Sequence, residues 1–219
     1  LSVDNTVANV ALNGDGSTIT NAISFANDGT LTLGTSGGTQ TYNAGLTTTS
    51  VGSTVTLNGT IATSDDAIVL GAVTLGSATV IDTNATATST GDITIGAVTG
   101  GSNALTLTTE NNVANADITA SGAVSGVTTL KIDSVGGTGT FSGDVDVTTL
   151  IVDNTVANFV FSGNGSTVAT TVAFTNDGDL TLGGSNATQT FTGGTDTDRV
   201  GGTVTLRGTS IGNDDCTFG

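Results

Sequence analysis

The sequence predicts an all-β protein built as a parallel β-solenoid, and three observations carry that prediction. The first is composition: Thr, Gly, Ala, Asn, Val, Asp, Ser and Leu dominate, Met is absent, and Glu110 is the single Glu. β-Branched side chains fit a pleated surface, and Gly and Asn accept the backbone geometry of corners. The second is period, since short runs alternate one apolar residue with Thr or Ser and then stop at a turn signal. The third is that 219 residues contain no Pro. Pro cannot donate to a hydrogen-bond ladder, so its exclusion suits a chain whose strands nearly all have a neighbour on both sides.

In chain order the runs are LTLG at 31–34, VTLNG at 55–59, IVLGAVTLG at 68–76, ITIG at 93–96, LTLTT at 105–109, LKID at 130–133 and VDV at 145–147. Each reads as a strand of roughly three to five residues, with Leu31 and Leu33 pointing inward and Thr32 facing water. Between them lie NGDG at 13–16, NDG at 27–29 and 176–178, SGG at 36–38, TGG at 99–101 and 192–194, and VGG at 135–137. Asp and Asn side chains bond their own backbone two residues on, which favours turns at these points. Strand and turn alternate at roughly ten- to fifteen-residue intervals, a spacing that suits either hairpins in a sandwich or short parallel strands in a solenoid. Sandwich strands are usually longer and carry Trp or Tyr in the core, whereas this chain has no Trp and a single Tyr. Thr and Asn also recur where stacked rungs would form ladders of like residues. Tandem Ig-like β-sandwich domains are the alternative fold.

A long repeat overlies this pattern. VDNTVAN occupies 3–9 and returns at 152–158, and residues 3–62 align without a gap to 152–211, an offset of 149, with a little over half the positions identical. Even Asp65 and Asp66 have counterparts in Asp214 and Asp215. A solenoid rung needs only its apolar pattern kept. Identity in exposed turns therefore points to duplication of a whole multi-rung block, and residues 1–219 read as one continuous solenoid of about nine to eleven rungs spaced about 4.8 Å. Further copies of the block in a longer tandem array are expected.

The formal net charge is −16, with only Lys131, Arg199 and Arg207 as cations. Such a surface repels phosphate backbones and anionic headgroups, which argues against nucleic acid and membrane-surface partners. No apolar run approaches the roughly 20 residues of a membrane span.

TQTYNAGLTT, GDITIGAVTGGSNALTLTT and DLTLGGSNATQTFTGG resemble the β-strand-repeat regions of large bacterial exoproteins: filamentous-haemagglutinin-like and autotransporter-passenger-like adhesins, and S-layer-like proteins beside them. The resemblance covers most of the chain and is one of texture. It implies a right-handed parallel β-helix, secretion to a bacterial cell surface, and an adhesive or structural role. It transfers no catalytic residue. The tandem GGxGxDxUx pattern of calcium-binding nonapeptide rolls is absent.

Among the acidic residues, Asp144 and Asp146 share one face of a strand, as Asp196 and Asp198 do, and clustered carboxylates serve glycoside hydrolysis in β-helical enzymes. With no His, no second Glu and no basic cluster, a solvated strand face is the favoured reading. Calcium, which takes six to eight oxygen ligands, is the more fitting ligand for the loops that carry Asp15, Asp28, Asp177, Asp179, Asp196, Asp198, Asp214 and Asp215. Cys216 aligns with Ala67 and is expected to be a buried, inert thiol. Lys131 is expected to be an exposed strand residue, and the N-glycosylation pattern at Asn58, Asn84, Asn164 and Asn186 is what chance supplies in so Asn- and Thr-rich a chain. The expectation that follows is a non-enzymatic extracellular stalk or surface fibre, partnered by neighbouring repeats, itself, or a cell-surface or glycan receptor. The alternative is a self-assembling filament, sheath or S-layer subunit with calcium-bridged contacts. A carbohydrate-active β-helix enzyme is the minority reading.

Overall fold

A computed structural model describes residues 1–84, 91–110 and 114–219. The chain coils as a β-solenoid of about nine turns, and its strands stack in parallel. Among the described residues no helix is long and apolar enough to cross a membrane.

Each turn visits three faces. On the first, Val10, Leu31, Val55, Val73, Val98, Val124 and Val145 form one column through direct strand pairing. Thr167, Thr190 and Ile211 continue this face, paired in turn from Asp146. The second face carries Gln40, Ile61, Ile81, Leu107, Ile132 and Val152 in line, and Val152 pairs onward with Phe174. The third face runs from Ile23 through Leu46, Ile68, Ile93 and Ile118 to Gly139, Phe159, Leu180 and Val204.

Alternation explains the core. In Leu31–Leu33 the two Leu side chains are fully buried and Thr32 is half-buried, as the sequence predicts. Ile68–Leu70, Ile93–Ile95 and Leu180–Leu182 repeat that pattern. Burying a large aliphatic side chain contributes about 1.5–3 kcal/mol, so every triplet anchors its rung through two contacts with the rungs above and below. The outward residues form the expected ladders: Thr32, Thr56, Thr74 and Thr99 line up on the first face. On the third the outward column reads Ser24, Thr47, Val69, Thr94, Thr119, Thr140, Val160, Thr181 and Thr205.

Several strands are longer than the three to five residues expected. Val55–Ala62, Val73–Asp82, Val124–Val135 and Val145–Val152 pass from the first face onto the second without a break. The Asn58-Gly59 pair reads as a strand end, yet Gly59 at φ 65° bends the backbone while pairing resumes after a register shift between Leu57 and Gly59. A bulge of this kind turns a strand without ending it.

Corners are closed by backbone geometry and by buried polar side chains. Gly34 and Gly183, 149 positions apart, sit at φ 80° and 85°, and a Cβ there would lie 1.9 Å from the Asn58 carbonyl oxygen and 1.7 Å from that of Arg207. Only Gly fits where the next rung passes so close. At the NDG corners, buried Asn27 donates its side-chain amide to the carbonyls of Gly29 and Thr30, and Asn176 does the same for Gly178 and Asp179. Gln40 points inward and donates to the carbonyls of Leu12 and Gly14, while its own oxygen accepts from the Tyr42 hydroxyl.

The two copies of the repeated block stand on different faces. From Leu31, six turns along the first face lead to Thr167–Val168, but the counterpart of Leu31, Leu180, lies two faces further on. The same displacement moves the partner of Phe25, Val3 on the third face, to Val152 on the second, where it pairs with Phe174. One offset of 149 residues therefore spans six turns and two faces.

Candidate functional site

The strongest concentration of perturbed ionisable groups is a strip on the second face. Asp82, Thr108 and Asp133 lie in one column on consecutive rungs. Glu110 ends the strand Leu105–Glu110 in a left-handed conformation, φ 60°. Burial pushes the Glu110 carboxyl above its ordinary range, and the charges of Asp82 and Asp133 push it the same way. Asp82 is also raised by burial, against the opposing pull of the Asn84 backbone N–H that donates to it at 2.7 Å. Lys131 donates to Asp133 at 2.6 Å, and this bond, aided by the charges of Asp133 and Asp153, raises its own value against the pull of burial. Lys131 is thus a strand residue, as expected, but half-buried (33% of its side chain exposed) and paired rather than fully exposed. Sequence reading misses the strip because its members are spread over positions 82–153 and meet only through stacking.

Four of the eight acidic residues proposed for calcium accept backbone hydrogen bonds with their side chains. Asp15 accepts the Thr39 backbone N–H at 2.9 Å, and Asp179 accepts that of Thr203 at 2.8 Å. Each bond ties one rung to the next. Asp196 accepts from the backbone of Asp198, and Asp214 from that of Asp215. Asp28 and Asp177 lie exposed in the NDG corners, anchored by backbone bonds to the carbonyls of Val7 and Val156. Asp198 and Asp215 are exposed. Among the described residues no three Asp, Glu or Cys side chains converge closely enough to hold a metal ion.

Asp146 takes its place in the outward first-face ladder between Ser125 and Thr167, and Asp144 precedes that strand at the corner. Asn164 accepts the Thr188 N–H at 3.0 Å, so its side chain is engaged between rungs. The Asn84 glycosylation pattern runs into positions 85 and 86, outside the described residues. Cys216 is exposed, contrary to expectation. It pairs with Thr195.

No family model matches the chain. No curated protein and no solved structure matches it either. The class that the geometry establishes is that of a repetitive β-solenoid protein.

Proposed function

We propose that the chain is a stiff, non-enzymatic structural segment of a secreted or cell-surface fibre. The observation that carries this reading is the stack of rungs, in which several polar side chains serve as ties between turns. Asp15, Asp179, Asn164 and Gln40 all spend their polar atoms on neighbouring backbone. A surface charge of −16 keeps such a rod soluble. Adhesion to a receptor, assembly into a filament or sheath, and calcium bridging belong to the same reading as ways a rod is used. Electron microscopy of the native material in calcium, then after chelation, tests them. Rods, filaments or sheets support the structural role, and loss of order on chelation assigns bridging to the acidic loops. Compact particles of no regular length would overturn it.

One observation favours a second reading, a carbohydrate-active enzyme. Glu110, its carboxyl raised by burial and by the charges of Asp82 and Asp133, has the raised carboxyl that a general acid needs. Polysaccharide turnover by the native chain that Glu110→Gln abolishes would establish that reading, and the absence of turnover across acidic and neutral glycans would dismiss it.

A further inference from the structure

Two corners of the coil bury an oxygen that no described protein group meets. Asn27 is fully buried, and its side-chain nitrogen donates to the carbonyls of Gly29 and Thr30 at 3.1 and 2.9 Å. Those donations fix which way the amide points, because the turned amide would set oxygen against oxygen. Its Oδ1 is directed elsewhere and has no hydrogen-bond partner among the described residues. On the next rung Thr48 is hidden too, with 2% of its surface exposed, and its Oγ1 is also unpartnered. Thr48 stands in an interior column between Phe25 and Leu70: the Phe25 N–H donates to the Thr47 carbonyl, and the Thr48 N–H to that of Val69. A hydroxyl in such a column costs stability unless something bonds it.

The two oxygens flank a step in the stacking. Phe25 lies over Thr48, and the Asn27 carbonyl accepts the Gly52 N–H at 2.8 Å, which sets Asn27 over Val51. Two residue steps on one rung therefore lie against three on the next. The longer segment bulges, and the Val51 N–H closes its turn on the Thr48 carbonyl. The second copy reproduces the step. There the Phe174 N–H donates to the Asp196 carbonyl and the Gly201 N–H to that of Asn176, whose amide keeps both of its donations and whose Oδ1 is again unpartnered. Thr197 takes the place of Thr48, buried, with its hydroxyl 3.5 Å from the Thr217 carbonyl oxygen.

We infer that each of these corners is a binding site for one buried water, which in the first copy bridges Asn27 Oδ1 and Thr48 Oγ1 and in the second meets Asn176 Oδ1. Chemistry selects water. An amide oxygen can only accept, so its partner must be a donor, and the Thr48 hydroxyl can take either role. The two oxygens do not bond each other. Diagonal positions on neighbouring strands stand about 7–8 Å apart, a span that two short side chains and one water fill. A cation is the wrong occupant, since both groups are neutral and an unpaired charge in an apolar interior costs far more than two neutral oxygens return. Water of this kind is a structural part, held by polar groups that have no other partner. The coil thus turns these corners on a hydrated joint.

Relaxation dispersion of the solvent's oxygen nuclei tests the proposal on the whole chain, because it counts long-lived internal waters and ignores exchanging hydroxyl protons. The expected result is the loss of one such water in Thr48→Val, which keeps the shape of the side chain and removes its hydroxyl. Thr48→Ser keeps the hydroxyl and is expected to keep the water. Stability separates the readings as well. Thr48→Val is expected to lower the folding constant about fivefold or more, since Asn27 Oδ1 loses its bridge, whereas a hydroxyl that is merely buried and unpaired predicts a rise. If Thr48→Val does not fold, a crystal structure of the native chain decides: density for a water within hydrogen-bond distance of both oxygens supports the site, and its absence overturns it. A native chain without long-lived internal water, a count unchanged in Thr48→Val, or a Thr48→Val chain more stable than the native one likewise overturns the inference. The structural role proposed above stands or falls separately, on the shape of the particles in the microscope.

Discussion

Residues 3–62 and 152–211 share most of their pattern yet build different interiors. In the first copy the inward positions hold Val10, Leu12 and Tyr42, and their counterparts in the second are Phe159, Phe161 and Phe191. The second copy thereby gains an aromatic cluster. Phe159 stands 5.7 Å from Phe141 and 6.2 Å from both Phe161 and Phe174, while Phe191 meets Phe174 edge-on at 6.1 Å. Aromatic pairs in such geometries contribute about 0.5–1.5 kcal/mol beyond the area they bury. Val10 and Leu12 pack against the core as partly buried aliphatic side chains. The comparison teaches that the repeated sequence specifies a rung and its corners, while the face it occupies and the neighbours it meets are set by the chain between the copies.

The sharpest way to break the comparison is to cut into the aromatic cluster. Phe159→Ala is expected to destabilise the chain by about 3–5 kcal/mol, whereas Val10→Ala at the equivalent position costs less than about 1.5 kcal/mol. Hydrogen exchange resolved along the chain is the suitable readout, because a solenoid can lose rungs locally. Equal losses at the two positions would mean that the copies are energetically alike.

Next in size are the corner amides, where the two copies should agree. Asn27→Ala and Asn176→Ala each remove a buried side chain that donates two hydrogen bonds and are expected to cost about 1–3 kcal/mol apiece. Chemical denaturation checks this, and a cost at one corner without the other would show that the face matters after all. Smaller still is Asp15→Asn. Its counterpart Asn164 makes the same inter-rung bond with an amide oxygen, so the change is expected to stay within about 0.5 kcal/mol, while Asp15→Ala costs more.

The smallest effect belongs to the acidic strip. Glu110 and Asp82 have folded-state values above their unfolded ones, so the folded chain holds protons more tightly and ionisation works against folding. That penalty is present at neutral pH, shrinks as pH falls through the raised values and is gone below the unfolded ones. Glu110→Gln is therefore expected to raise the melting temperature slightly at neutral pH and to leave it unchanged in acid. A variant less stable than the native chain at neutral pH would contradict the direction of the shift.

Much of the architecture was legible in advance for a physical reason: a solenoid rung is encoded locally. Leu31 to Leu33 announces its inward and outward sides by alternation alone, and Asn27 to Gly29 announces a corner. Inter-rung relations were not legible. Gln40 sits at an inward position of the alternation in TQT, a signal that a buried amide awaits, yet its partners at Leu12 and Gly14 are far away in sequence. Asp82, Glu110 and Asp133 likewise meet through rungs of unequal length, and no local pattern counts those lengths.

The direction of the hydrogen bonds gives the rod a mechanical character. Strands run around the coil, so the bonds between rungs point along its axis, as in Val10 to Leu31 and Leu31 to Val55. Axial tension loads them one rung at a time, and the chain peels where lateral shear would meet a whole ladder at once. Each rung released turns about 4.8 Å of rod into about 70 Å of extended chain. Such a segment is rigid under bending and compression but yields to pulling in small steps, one rung at a time, which lets it absorb a sudden load and recoil by restacking its rungs.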